Sequence, residues 1–216
     1  MNRYTAIAIF AMTLLFACKK TVTLDLNGTS ARIVIQGEVT DSPGPYTVTI
    51  NQSVDFYADN NFPPVSGALV VIRDNQGTTD TLTETSPGAY NTHLLLGRPG
   101  NTYTLDVFAR NEHYVAASTM PEAVPLDSVT FESLTGFGQQ RISAVVNFRD
   151  PRGVKNYYRF IEYINGLQFT RNIFIFDDRL SDGKYIVNSL RNDSSYLETV
   201  DHLEVCMFGI DARVYN

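Results

Sequence analysis

The chain has 216 residues, a formal charge of −6, 44% hydrophobic and 19% charged residues, and two cysteines. That apolar content excludes a disordered chain, and two cysteines cannot build a disulfide scaffold. An acidic chain without a basic block also excludes sequence-independent nucleic-acid binding, which needs a cationic surface against the phosphates. One or two globular domains remain.

Residues 1–17 read as an export signal. Arg3 supplies the positive start, and Ala6 to Ala17 is apolar apart from Thr13. A membrane-spanning helix needs about 20 apolar residues. This run is shorter and suits the hydrophobic region of a signal peptide. It ends in Leu15-Phe16-Ala17-Cys18, which resembles a bacterial lipobox. Cleavage is then expected between Ala17 and Cys18, with acyl chains (palmitate among them) on Cys18. Several chains together hold a protein at a membrane where one does not. Lys19 and Lys20 follow, and the absence of Asp at the next position resembles lipoproteins sent to the outer membrane; the leaflet stays open. Losing Arg3 makes the exported chain one unit more negative. With Cys18 lipidated, Cys206 has no partner; its setting in Leu203 to Phe208 predicts a buried, inert thiol.

Residues 18–30 are a polar tether. Over 31–119 the pattern has the period of two that places alternate residues on one side of a sheet. Ile33, Ile35, Gly37 and Val39 alternate, then Tyr46, Val48 and Ile50, then Tyr103, Leu105, Val107 and Ala109. Further strands are predicted at Ala68 to Asp74, Thr78 to Glu84, Ala89 to Leu94 and His113 to Thr119. Turns fall at Asn75-Gln76-Gly77, Ser86-Pro87-Gly88 and Gly97-Arg98-Pro99-Gly100. This predicts an all-β fold opening with an antiparallel Ig-like/transthyretin-like β-sandwich domain. Residues 120–127, with Pro121 and Pro125, read as a linker. A second β-rich domain is predicted over 128–216. Its strands are a run through Ile142, Ala144, Val146 and Phe148, then Tyr157 to Ile164, Leu167 to Asp177, Tyr185 to Leu190 and His202 to Ile210. Asn165-Gly166 is a two-residue hairpin turn. Asp211 to Asn216 looks like a helix N-cap and first turn, as expected of a chain cut short.

Chemistry is sparse. His93, His113 and His202 form no metal-ligand spacing, and there is no Gly-x-Ser-x-Gly elbow and no phosphate loop. Counting back from Gly183 for a calcium loop meets Asp182, Leu180 and Asp178. Leu180 cannot ligate, so Asp177 to Gly183 reads as a polar turn. Calcium in another geometry stays open. No metal or other cofactor is expected. The chain has 12 Tyr, 13 Phe and no Trp, and Asn156 to Phe160 with Tyr163 is dense in rings. Strand aromatics ordinarily pack cores, and the missing Trp weakens a glycan-stacking reading. The long irregular segment Gln52 to Ser66 offers Phe56, Tyr57 and Phe62 for partner contact. Thr81 and Ser128 each follow an Asp and precede an apolar residue, which resembles the O-glycosylation sites of exported Bacteroidetes proteins.

Several runs together resemble the DUF4249 lipoproteins of the Bacteroidetes envelope: Cys18-Lys19-Lys20 with Leu24-Asp25-Leu26, Arg32 to Gly37, Gly44 to Val48, and Phe62 to Ala68. Gly100 to Leu105, Thr119-Met120-Pro121, Asp150-Pro151, Asn156 to Phe160 and Asp182-Gly183-Lys184 continue the likeness. The first domain also resembles carboxypeptidase-regulatory and transthyretin-like sandwiches. The family resemblance implies no catalytic residues and a place beside TonB-dependent receptors. The expectation is therefore a non-catalytic outer-membrane lipoprotein, held at the membrane through Cys18 and accessory to a TonB-dependent transport system. The alternatives are an envelope structural or adhesion module and, more remotely, a hydrolase.

Overall fold

A computed structural model describes residues 31–55, 58–136, 139–191, 197 and 202–215. The expected signal peptide, Ala17, Cys18, the tether, Phe56 and Tyr57 lie outside the described residues. The described chain is almost entirely β, and every strand pairing is antiparallel. No described helix is long and apolar enough to cross a membrane.

The first half is two four-stranded sheets. One runs β1 (Ile33–Gly37), β2 (Thr47–Gln52), β6 (Ala89–Asn91), β5 (Thr83–Ser86). The other runs β4 (Thr79–Thr81), β3 (Leu69–Asp74), β7 (Thr102–Ala109), β8 (Glu112–Thr119). The alternation seen in the sequence points inward as expected. Tyr46, Val48, Ile50 and Tyr90 from one sheet share a core with Val70, Ile72, Tyr103, Val107 and Ala109 from the other. Burying such side chains stabilises the pair of sheets by roughly 1.5–3 kcal/mol for each Val, Leu, Ile or Phe.

The sequence predicted one strand over Thr78 to Glu84, and the structure corrects this. The segment is two short strands in different sheets, β4 and β5, joined at buried Leu82. Leu82 N–H donates to the Val70 carbonyl at 2.9 Å, so the crossing leaves no orphan donor there. The alternating pattern cannot distinguish a continuous strand from one that changes sheets, because the same side stays inward.

The second half has a three-stranded sheet in the order β14 (Tyr185–Leu190), β10 (Gln139–Arg149), β9 (Leu126–Gly136). Facing it, β11 (Tyr157–Ile164) carries β15 (Leu203–Gly209) on one edge and β12 (Leu167–Gln168) with β13 (Phe174–Asp177) on the other. The predicted strand Leu167 to Asp177 is therefore broken in two. Asn165 and Gly166 have φ of 50° and 79°, as the predicted hairpin requires. The core is aromatic: Phe148 stands edge-on to Tyr158 at 4.8 Å between ring centroids and tilted to Phe160 at 6.0 Å, separations within the favourable range for ring pairs.

The proline segment passes between the two cores, with Met120 packed on the first and Val124 and Leu126 on the second. Leu126 and Asp127, placed in the linker by the sequence, already belong to β9. The last described element is α1 (Ala212–Tyr215). Asp211 caps it as predicted, Oδ1 accepting from Arg213 N–H at 2.7 Å, and its other oxygen takes the Ser118 hydroxyl of β8 at 2.8 Å.

Candidate binding site

Residues 92–101 connect β6 to β7 with almost no regular structure, yet buried polar groups fix them. Asp80, 2% exposed, points one oxygen at three consecutive amides, His93, Leu94 and Leu95, at 2.8, 2.7 and 2.9 Å. Burial alone would raise its pKa. The three N–H donors and the nearby His93 outweigh burial and hold it below the ordinary carboxylate value. The Tyr46 hydroxyl accepts from Gly97 N–H at 2.8 Å and donates to the Ser42 carbonyl at 2.7 Å. The Tyr103 hydroxyl accepts from Arg98 N–H at 2.6 Å and donates to the Leu96 carbonyl at 3.2 Å. Only glycine fits at position 97, because a Cβ there would sit 1.8 Å from the Thr40 carbonyl oxygen.

The β3–β4 turn stands beside this loop. Asp74 Oδ1 accepts from Gln76 N–H at 3.0 Å and Thr78 N–H at 2.8 Å, the local bonding expected of Asp at a turn. Asn75 ties the turn to the start of β7, donating N–H to the Thr102 carbonyl at 3.0 Å. Between turn and loop lies a cavity of about 220 Å³ lined by Asp74, Gln76, Thr78, Leu94, Leu96, Arg98 and Asn101. Desolvation pulls the Asp74 pKa upward. The backbone and hydroxyl of Thr78, the Gln76 amide and the charge of Arg98 bring it net below its ordinary value. No ion pair joins Asp74 to Arg98 among the described residues. Asn101 is 9% exposed, and its buried side-chain nitrogen has no hydrogen-bond partner. Such an orphan donor costs about 1–3 kcal/mol.

None of these lining residues stood out in the sequence as a site. Asn75 to Gly77 and Gly97 to Gly100 read there as two separate turns, with Asp74 at the end of a strand. The available signal was Leu94-Leu95-Leu96, since three adjacent leucines cannot all face one core. Only Leu95 is buried, and Leu94 and Leu96 stand exposed at the cavity.

The candidates singled out from the sequence are scattered. Phe62 is about half exposed on the 52–66 segment. Thr81 is exposed on β4, and Ser128 is exposed on β9. His113 lies on the outer face of the first sandwich, stacked on Phe108 with ring centroids 4.0 Å apart and bonded to Asp106 at 2.9 Å. Asp106 also pairs with Arg73. His93 approaches Asp80 at 3.7 Å, and exposed His202 sits just before β15. Cys206 is half-buried, less enclosed than its apolar setting suggested. Burial and then Glu204 raise its pKa, which keeps it as the less reactive thiol.

The acidic turn acquires a partner the spacing did not show. Carboxylate oxygens of Asp150, Asp178 and Asp182 lie within 4.8 Å of one another. The protein itself supplies donors to each. Asp150 accepts from the Tyr158 hydroxyl at 2.5 Å, from Gly183 N–H at 3.0 Å and, more distantly, from the Asn156 amide at 3.4 Å. Asp178 accepts from Asn156 N–H at 2.8 Å and Asp182 from Gly153 N–H at 2.6 Å. The Tyr158 pKa is driven upward by burial first and then by bonding to Asp150. The cluster thus latches the turn after β10 to the turn before β14.

The model for the family described as "Domain of unknown function (DUF4249)" matches residues 19–216. The chain belongs to the DUF4249 family. Comparison with curated proteins gave no match, and neither did comparison with solved structures.

Proposed function

We propose that this DUF4249 chain is a non-catalytic envelope lipoprotein. It holds a small polar ligand in the pocket at the end of its first sandwich, as an accessory to a TonB-dependent outer-membrane transporter. The observation that carries the binding role is the orphaned Asn101 amide in a cavity whose walls are already fixed by Asp80, Tyr46 and Tyr103. A site built in advance loses little conformational freedom on binding. The lining favours holding over reacting, because Asp74 is committed to its own turn amides and stays ionised. The anchor rests on Leu15-Phe16-Ala17-Cys18, and the family match opens at residue 19, one residue beyond the expected lipid-bearing cysteine. Tethering raises the effective concentration of the pocket beside a membrane partner.

The test uses the full chain in a Bacteroidetes host. Palmitate should label the wild type and not Cys18→Ala, and an outer-membrane receptor should co-purify with the tagged wild type. Labelling of Cys18→Ala refutes the anchor, and absence of a receptor from the purified material refutes the transport role. The second reading, an adhesion or structural module, draws on exposed Leu167, Ile173, Leu180 and Val187 of the second half. Lost cell attachment with unchanged uptake in a deletion strain would select it.

A further inference from the structure

The geometry points to a free α-amino acid with an aliphatic side chain as the ligand of the pocket lined by Asp74, Leu94, Leu96, Arg98 and Asn101. The identification rests on the capture role proposed above and specifies its ligand class. Three features of the lining select it together. First, the pocket carries one carboxylate and one guanidinium, Asp74 and Arg98, which attract each other without forming an ion pair. A ligand with both charges satisfies both groups at once, whereas a simple anion or cation leaves one of them facing a like charge. Second, Asn101 offers a buried N–H group with no acceptor. A ligand carboxylate placed against Arg98 and Asn101 supplies that acceptor, and charge-assisted hydrogen bonds of this kind are among the stronger ones. Third, Leu94 and Leu96 expose apolar surface at the same cavity. An aliphatic side chain lying along them removes that surface from water.

The volume agrees. The cavity is about 220 Å³. It lies below the range of about 300–1,000 Å³ usual for larger organic ligands. A single sugar ring has a similar size, but it carries no charge for Arg98 and Asp74 to divide, and the lining offers no aromatic face for it to stack on.

The experiment is isothermal titration of the full chain in detergent with L-leucine, with N-acetyl-L-leucine amide (both charges blocked) and with D-glucose. L-leucine should give saturable binding, and the blocked compound and glucose should give none. Arg98→Ala should weaken leucine by about tenfold or more. Arg98 is exposed, so this variant keeps its fold, and an unchanged thermal melt checks that. No saturable heat with leucine overturns the assignment. So does glucose binding as tight as leucine, equal binding of the blocked compound, or an unaltered leucine affinity in Arg98→Ala. Cys18→Ala leaves the pocket intact, so failure of the anchor and failure of the ligand assignment are read in separate experiments.

Discussion

Both halves of the chain bury aspartates, but they use them differently. In the first half Asp80 spends its hydrogen-bonding capacity on the backbone of an irregular loop. Tyr46 and Tyr103 do the same with their hydroxyls. The polar groups stand outside the aliphatic centre of the core and hold a cavity open. In the second half Asp150 bonds Tyr158, whose ring is part of the aromatic core. There the three aspartates take donors from the protein itself and tie two turns together. A buried carboxylate therefore does not by itself mark a functional site. What separates the two halves is whether a donor is left without a partner where a cavity remains. That condition is met at Asn101; Asp150, Asp178 and Asp182 each receive a donor from the protein, and the unpartnered Ser181 and Ser189 hydroxyls of the second half do not line the pocket beside Asn101.

The largest effect expected from this contrast is in the second core. Phe148 is fully buried among Tyr158, Phe160 and Phe176. Phe148→Ala should cost about 3–5 kcal/mol by urea unfolding. Hydrogen exchange should show protection falling in β10, β11 and β14 while β2, β3 and β7 keep theirs. Equal loss in both halves would mean that the two cores do not act as separate units.

Asp80→Ala should come next, at about 2–4 kcal/mol, because three amides lose a charged acceptor together. Its distinguishing consequence is functional. The loop carrying Leu94, Leu96 and Arg98 is released, so leucine binding should disappear even at temperatures where the variant remains folded by circular dichroism. Retained binding would show that the pocket does not depend on Asp80.

Tyr158→Phe should cost less, about 1–2 kcal/mol. It removes one donor from Asp150 and leaves the Gly183 and Asn156 bonds in place. Ligand binding in the first half should not change. A leucine affinity altered by this distant hydroxyl would contradict the division between a held-open site and a closed latch.

The sandwich itself was legible because inward residues repeat every second position, and Val48, Ile50, Val107, Val146 and Phe148 lie where that period puts them. Two breaks were not legible. The crossing at Leu82 preserves the inward side, and the gap between β12 and β13 interrupts pairing without a turn signal strong enough to mark it. The site was hidden for a different reason. Asp74 and Arg98 are 24 positions apart by number in the sequence, and each belongs to an ordinary-looking turn. Only the pairing of β3 with β7, which sets Asp74 opposite Tyr103, brings those turns together. Asp150 was likewise far in sequence from Asp178 and Asp182, so a search for ligands at loop spacing could not include it.

The smallest effect concerns acid, and it sharpens the same contrast on the side of the first sandwich. Glu84 of β5 accepts from Gly67 N–H and Gly88 N–H, both at 2.9 Å. These two backbone bonds, the first from Gly67, bring its pKa down from 4.5 to about 2. A carboxylate depressed in the folded state binds protons more readily once unfolded. Its contribution is therefore complete above the unfolded value near 4.5 and fades as pH falls from there toward 2. Asp74 and Asp80, lowered as well, act in the same direction. Glu84→Gln keeps one acceptor oxygen but cannot titrate, so its stability should fall less steeply than the wild type's across that acid window. At neutral pH the variant should be the less stable of the two, because one glycine amide then faces an NH2 group in place of a carboxylate oxygen, and the gap should narrow as pH falls toward 2. Urea midpoints measured at closely spaced pH values give the slopes. Identical slopes would mean that the two glycine amides do not hold the Glu84 charge in the folded protein.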